Sequence, residues 1–136
     1  MGSQALNWID GEWCPAAGGD GTTGACFDPA TGDKVGTFTE GTSTDAEAAI
    51  AAARRAFENT SWAHSPRLRA QVLLDFADRL AARRSEIEAM LTRVNGKLLR
   101  ESAGELSASI SELRYYAGLA RTLFGRRTEI ENGCYS

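Results

Sequence analysis

Short runs of alternating apolar and polar residues, separated by turn-forming residues, make up the first forty positions of the chain. Two tryptophan-containing runs flank the Asp10–Gly11 pair, which is typical of a two-residue hairpin turn because glycine adopts positive φ without strain. A second hairpin is predicted over 25–38, with its turn in the segment PATGD. The glycine-rich stretch 18–24 between the two hairpins is predicted to be a loop. The pattern therefore predicts short β-hairpins over 1–40.

From Thr44 onward the apolar residues recur with a period of about 3.6, which indicates amphipathic helices. Three helix starts carry a hydroxyl residue with a fitting partner, namely Thr44 with Glu47, Ser65 with Pro66, and Ser85 with Glu88. The apolar faces of the first two predicted helices consist of Ala46, Ala49, Ile50, Ala53 and Phe57, and of Val72, Leu73, Phe76, Ala77 and Leu80.

The third predicted helix ends at Asn95–Gly96, where glycine supplies a left-handed stop. A last, long helix is predicted over 98–124, with Gly104 as a weak point or break because glycine is a poor helix former. The tail, 127–135, is strand-like, and its Asn132–Gly133 pair is a hairpin turn. Only three residues follow Gly133, so the strand that should pair with the first one is expected to be missing.

Composition narrows the possible functions. The chain has 136 residues, a net charge of −3 and 43% hydrophobic residues, which is ordinary for one globular domain. Basic residues alternate with acidic ones along the helices, so a solvated, ion-paired surface is expected and nucleic acid is not. No apolar run is long enough to span a membrane, and no secretory signal is recognisable. Neither a nucleic-acid partner nor a membrane is therefore expected.

The candidate reactive residues give no active site by themselves. Three cysteines, Cys14, Cys26 and Cys134, and the single His64 lack the spacing of a metal site, so no metal is expected and a reduced, cytoplasmic setting is the simplest interpretation. The segment GDGTTG matches the GxGxxG dinucleotide pattern, but it leads into a predicted strand instead of a helix, so it is interpreted as a surface loop.

The last long helix offers two further candidates. Glu101 and Glu105 share one helix face, where Lys97 favours ion pairing at the surface over an acid–base pair. Of the neighbours Tyr115 and Tyr116, at least one is expected in the core, because successive helical residues point about 100° apart.

Five segments in order resemble the amino-terminal portion of the aldehyde dehydrogenase superfamily. They are WIDGEW, DPATGDKVGTF with the following EGTSTDAEAAIAAARRAFEN, SPRLRAQVLLDFADRL, VNGKLLRES, and LRYYAGLARTLFG. The resemblance covers nearly the whole chain. It implies an α/β parent fold, of which this chain is an N-terminal fragment: short β-hairpins, three or four amphipathic α-helices and a truncated β-hairpin strand.

The resemblance also implies an activity for the complete protein, the oxidation of an aldehyde to a carboxylic acid with NAD or NADP. The family's catalytic cysteine, general-base glutamate and cofactor region match no part of this chain, so it carries no catalytic and no cofactor-binding residue, binds no cofactor alone and is expected to be inactive. The alternative is a small standalone helical module that docks onto a full-length relative as a regulator.

The resemblance implies two further roles for this chain, one in the substrate tunnel and one in oligomerisation. Aligning through Arg114 to Gly118 places Gly104, Ala108 and Ser111 on the wall of the substrate tunnel, where small side chains leave room for a bulky aldehyde. The competing explanation is that Gly104 and Ala108 allow close helix packing.

The resemblance divides residues 1–136 into hairpins (1–40), helices (44–124) and the start of the oligomerisation arm (127–136). A homo-oligomer formed through the strand 127–136 is expected, because an unpaired strand edge favours pairing with another chain. An early stop, an expressed piece and proteolysis all remain possible origins of this length.

Overall fold

The computed structural model describes residues 3–17, 22–122, 129–131 and 134–135. In chain order its elements are β1 (Ser3–Ala5), β2 (Asn7–Ile9), β3 (Glu12–Cys14), β4 (Thr23–Phe27), β5 (Lys34–Thr39), α1 (Ser43–Asn59), α2 (Pro66–Ala82), α3 (Arg84–Asn95), α4 (Leu99–Thr122), β6 (Glu129–Glu131) and β7 (Cys134–Tyr135). The predicted order of short hairpins followed by helices is confirmed, with four helices in the described part. None of these helices is both long and apolar enough to cross a membrane.

The first predicted hairpin is confirmed. Strands β2 and β3 pair antiparallel around Asp10 and Gly11, both of which have positive φ, at 54° and 86°. Trp8 pairs directly with Trp13, and their ring centroids lie 4.7 Å apart in an edge-to-face arrangement. The Arg55 guanidinium of α1 contacts the Asp10 carboxylate at 2.8 Å, so the turn is held against the helix.

The second predicted hairpin is also present, as β4 and β5 pair antiparallel. Its turn uses Gly32 at φ 77°, whose N–H donates to the Asp28 carbonyl oxygen at 2.7 Å. The loop predicted over 18–24 ends earlier than expected, because β4 already begins at Thr23. Strand β1 was not predicted. It pairs parallel with β5 and gives a three-stranded sheet of order β1-β5-β4.

Helix α1 begins at a capping box two residues before the predicted one. The Thr42 N–H donates to Asp45 Oδ2 at 2.7 Å, and the Asp45 N–H donates back to Thr42 Oγ1 at 3.3 Å. The Ala17 N–H also donates to Asp45 Oδ1 at 3.0 Å. The predicted Thr44–Glu47 box is therefore wrong, because a buried carboxylate at Asp45 satisfies amides of two separate segments.

The other helix boundaries follow the local signals in part. Ser65 caps α2 by accepting from the Leu68 N–H at 3.3 Å, with Pro66 next, as predicted. Helix α3 has no side-chain N-cap, so the predicted box of Ser85 with Glu88 is wrong; Glu88 instead accepts from Arg84 at 3.0 Å. The stop at Gly96 is confirmed, with φ 71°.

The core lies between the helices. Helix α2 packs on α4, and the two run antiparallel, since Arg67 near the start of α2 and Arg121 near the end of α4 line one groove. Helix α3 packs against the first half of α4. The buried centre of this core consists of Ala77, Leu106 and Ile110. Four partly buried residues surround it, namely Leu80, Ala81, Ile87 and Leu113. Helix α4 runs unbroken through Gly104, so the predicted break is absent.

Most of the predicted α1 face and part of the predicted α2 face are not covered by the residues that the structure describes. On α1, Ile50 is 69% exposed and Phe57 is 54% exposed. On α2, Val72 and Phe76 are likewise exposed. The helices were predicted correctly, and the α2 face is confirmed in part, because Ala77 and Leu80 pack against α4. The exposed side chains lie beside that contact on α2, and on α1 they lie away from its contact with β2.

The predicted tail strand is present, and its expected lack of a partner is wrong. Within the described residues, β6 pairs antiparallel with β7, with Glu129 opposite Tyr135 and Glu131 opposite Cys134. The predicted turn at Asn132–Gly133 lies outside the described residues. Two residues thus suffice to form the second strand of this hairpin.

Replacing Leu106 by alanine should lower the free energy of unfolding by about 2–5 kcal/mol, because it opens a cavity between α2 and α4. The matched control is Leu99→Ala in the first turn of the same helix, where the side chain is 57% exposed. That variant should change the free energy by less than about 0.5 kcal/mol. Urea denaturation followed by circular dichroism measures both, and equal losses would contradict the assigned core.

The Asp45 carboxylate should make folding sensitive to acid. The hydrogen bonds from Thr42 lower the pKa of Asp45 below its ordinary 3.8. Because the folded pKa is the lower one, its stabilisation is present above the unfolded value and is lost as the pH falls through the folded value. The melting temperature of the wild type should therefore fall more steeply below about pH 4 than that of Asp45→Asn.

The control for the acid experiment is Glu47→Gln, which removes one negative charge from the same end of α1. Its melting temperature should follow the wild type across the acid range. A slope for Asp45→Asn equal to that of the wild type would show that the Asp45 contacts do not contribute to the acid dependence.

Candidate functional site

The three residues assigned to the substrate tunnel, Gly104, Ala108 and Ser111, form one stripe along α4. Their spacing of four and three residues keeps them on one face of a helix. All three are exposed, whereas Leu106 and Ile110 are buried on the side that packs against α2. At 100° per residue the stripe lies roughly opposite the packed face. We call Gly104, Ala108 and Ser111 the small-residue stripe.

The surroundings of the stripe are open within the described residues. A Cβ built on Gly104 would have no neighbour within 4 Å. Close helix packing, the competing explanation for a glycine there, is therefore not realised in the described part of the chain. The stripe contains no ionisable group, so its available chemistry is space, apolar contact and the Ser111 hydroxyl.

Tyr115 continues the stripe by one more helical turn. It is 62% exposed, its neighbour Tyr116 is also exposed, and their rings meet edge to face with centroids 5.4 Å apart. The prediction that at least one of them lies in the core is wrong for the described residues. Helix α4 turns both tyrosines away from Leu113 and Ala117, which lie on the side that packs against α2.

The acidic pair at the start of α4 has a structural role. The Lys97 ammonium group forms an ion pair with Glu105, so the predicted ion pairing at the surface is confirmed. Glu101 accepts a hydrogen bond from the Leu98 N–H at 3.2 Å and so satisfies an amide at the start of the helix. The two carboxylates thus have separate partners and do not form an acid–base pair.

The carboxylates with a lowered pKa are also bound to structural partners. Asp45 holds Thr42 and Ala17, as described above. The pKa of Glu86 is lowered chiefly by its hydrogen bonds from the Arg83 guanidinium, and both side chains are exposed at the start of α3. Neither group lies on the small-residue stripe, so neither supplies that surface with a base.

The glycine-rich segment GDGTTG leads directly into β4, as the sequence pattern predicted. A dinucleotide cradle needs a helix N-terminus at this point, because helix amides bind the pyrophosphate. Residues 18–21 lie outside the described part. Cys14 and Cys26 are half-buried free thiols, and His64 lies in the turn before α2. Thus the described residues assemble no nucleophile with a base.

Comparison with known proteins decides the family. A sequence profile described as the aldehyde dehydrogenase family matches residues 13–135, which is most of the chain. The chain belongs to the aldehyde dehydrogenase family. The family profile confirms the resemblance that the five sequence segments indicated.

Individual relatives in the family align with almost the whole chain. It is 35% identical over 134 residues to 4-trimethylaminobutyraldehyde dehydrogenase of Rattus norvegicus. This alignment covers 98% of this chain and 26% of the relative. It is 33% identical to malonate-semialdehyde dehydrogenase 1 of Geobacillus thermodenitrificans, with 98% of this chain and 28% of the relative covered. The chain therefore spans about a quarter of the length of these curated relatives.

Solved structures give the same picture. The NAD-dependent aldehyde dehydrogenase of Sinorhizobium meliloti superimposes with a TM-score of 0.87 at 30% identity, covering 99% of this chain and 27% of that one. An NAD⁺ complex of aldehyde dehydrogenase from Bacillus cereus superimposes with a TM-score of 0.85 at 30% identity, covering 95% and 26%. The described elements are thus a portion of the aldehyde dehydrogenase fold.

Replacing Gly104 by alanine should raise the free energy of unfolding by about 0.5–1 kcal/mol, because alanine is the better helix former and its Cβ meets no neighbour. Gly96→Ala is the contrasting variant. Its φ is 71°, and a Cβ there would lie 2.6 Å from Pro29, so it should destabilise. Chemical denaturation compares the two; a destabilised Gly104→Ala would instead indicate close packing at the stripe.

Proposed function

We propose that this chain is part of an NAD(P)-dependent aldehyde dehydrogenase, an oxidoreductase that converts an aldehyde to a carboxylic acid. The observation that carries the proposal is the family match over residues 13–135, supported by the superposition on a solved NAD-dependent member. In this proposal residues 1–136 supply hairpins (1–40), helices (44–124) and the start of an oligomerisation arm (127–136).

The role that we assign to the chain within that enzyme is one wall of the substrate tunnel. Gly104, Ala108 and Ser111 form the tunnel-facing surface, and their exposure on the side of α4 away from the core supports this assignment. Small side chains leave volume for a bulky aldehyde. Because these residues are uncharged, stabilisation of charge at the reacting carbon must come from groups elsewhere in the enzyme.

The proposed chemistry needs groups that this chain does not supply. In the complete enzyme NAD or NADP accepts the hydride when bound, and a catalytic cysteine outside this sequence forms the thiohemiacetal. The loop GDGTTG does not fit a dinucleotide, because strand β4 follows it directly. We therefore propose that the 136-residue chain alone binds no cofactor and is catalytically inactive.

The remaining parts of the proposal concern location and assembly. The free thiols of Cys14 and Cys26 support a reducing, cytoplasmic setting. A homo-oligomer through the strand 127–136 is supported by the short β6–β7 hairpin, since two such strands alone are marginally stable and leave edges that can pair. The aldehyde is the only other partner proposed, with neither nucleic acid nor a membrane.

The activity can be tested with a chimera in which this chain replaces the matching segment of the Sinorhizobium meliloti enzyme, with which it superimposes over 99% of its length. The chimera should reduce NAD⁺ in the presence of aldehydes, measured by absorbance. Gly104→Leu in the chimera should lower kcat/KM for bulky aldehydes by about tenfold or more, while a two-carbon aldehyde is affected much less.

The matched control is Ser109→Leu, an exposed position on a different face of α4. It should leave the ratio of the two kcat/KM values unchanged. A folded, assembled chimera without NAD⁺ reduction would contradict the proposed activity, and an equal effect of both leucines on both aldehydes would contradict the tunnel wall. NAD⁺ or NADP⁺ reduction by the isolated chain would contradict its proposed inactivity.

A further inference from the structure

An open groove lies between the beginning of α2 and the end of α4. Its volume is about 310 Å³, which is at the lower end of the range for ligand pockets. Three arginines from the two helices line it, namely Arg67, Arg114 and Arg121. The groove shares no residue with the small-residue stripe, and its interpretation does not depend on the proposed activity.

The charges around the groove are unbalanced within the described residues. The Arg114 guanidinium contacts the Asp78 carboxylate at 2.9 Å. Arg67 and Arg121 form no ion pair with any residue of the described segments. Two unpaired positive charges in one concavity raise the local potential, since like charges repel and field lines concentrate in a cleft. A bound anion would remove that repulsion.

The type of anion follows from the chemistry of arginine. A guanidinium group presents its N–H donors as a planar fork, which matches the two oxygens of a carboxylate. Arg67 and Arg121 line the same groove, one from each helix, and we infer that an oxyanion held there accepts from both. The fork fits a phosphate oxygen pair as well, so the choice of a carboxylate rests on the apolar lining beside the arginines, which suits a head carried on an alkyl chain.

The floor of the groove is mainly apolar. Ala70 and Ala117 are buried there, Leu74 adds an exposed aliphatic side chain, and the Gln71 amide donates to Asp75. Gly118 lines the same space, and a Cβ on it would meet no atom within 4 Å. Small residues on both helices thus leave a slot beside the arginines. An alkyl chain of a few carbons would bury apolar surface in this slot.

We propose that the groove between α2 and α4 binds a small organic monoanion, a carboxylate carried on a short alkyl chain. The carboxylate lies between Arg67 and Arg121, and the alkyl chain lies on Ala70, Leu74 and Ala117. Both parts of the ligand contribute, because the head is held by charge-assisted hydrogen bonds and the chain by apolar contact.

The test is calorimetric titration of the 136-residue chain with hexanoate, compared with hexan-1-ol and with inorganic phosphate. Hexanoate should bind saturably. It should bind more tightly than hexan-1-ol, which has the alkyl group without the charge, and more tightly than phosphate, which has charge without an alkyl group. Arg67→Gln and Arg121→Gln should each weaken hexanoate binding about tenfold, the effect of losing one charge-assisted hydrogen bond. Added salt should weaken binding as well.

Two further variants make the result decisive. Arg100→Gln removes an exposed arginine from the opposite end of α4 and should leave binding unchanged. Gly118→Leu keeps every charge, favours the helix and fills the slot, so it should abolish hexanoate binding in a folded protein. Absence of saturable binding, equal binding of hexan-1-ol or phosphate, or hexanoate binding that survives Gly118→Leu would each overturn the proposal.

Discussion

The contact between α2 and α4 is the interaction on which the arrangement of the rest of the chain depends. Alanines at the contact, with Ala77 fully buried, let the two helices approach closely around Leu106 and Ile110. Once this face of α4 is buried, the 100° step between successive residues determines where every other side chain of the helix points. The positions of the small-residue stripe and of the arginine groove therefore both follow from the burial of this one face of α4 against α2.

A second constraint organises the first half of the chain. The Asp45 carboxylate accepts hydrogen bonds from Thr42 and from Ala17, so one side chain begins α1 and holds the preceding loop. Apart from this, α1 contacts β2, and Arg55 pairs with Asp10 in the β2–β3 turn, while Ile50 and Phe57 remain exposed. Apolar faces without cover are natural in a chain that spans about a quarter of its relatives' length.

Local chemistry predicted those features that depend on neighbouring residues. The turn at Asp10–Gly11, the start at Ser65 and the stop at Gly96 need only a few adjacent groups, and each is confirmed. The start of α1 was misplaced because two overlapping pairs, Thr42 with Asp45 and Thr44 with Glu47, both fit a capping box. The distant Ala17 amide, which also donates to Asp45, favours the first pair. Strand β1 was missed because three residues without alternation carry no pattern. Gly104 did not break α4, because its cost of about 1 kcal/mol is small beside the burial of Leu106 and Ile110.

The sequence pattern alone predicted neither candidate site, because both depend on how α4 packs against α2. The small-residue stripe came from resemblance, since Gly104, Ala108 and Ser111 have no chemistry that would mark them in an isolated sequence. The groove could not be predicted, because Arg67 and Arg121 line one groove only when α2 and α4 pack side by side. One helix thus presents a neutral surface and a cationic one. Because different side chains form them, a bulky residue at Gly104 acts by filling space, whereas glutamine at Arg121 acts by removing charge.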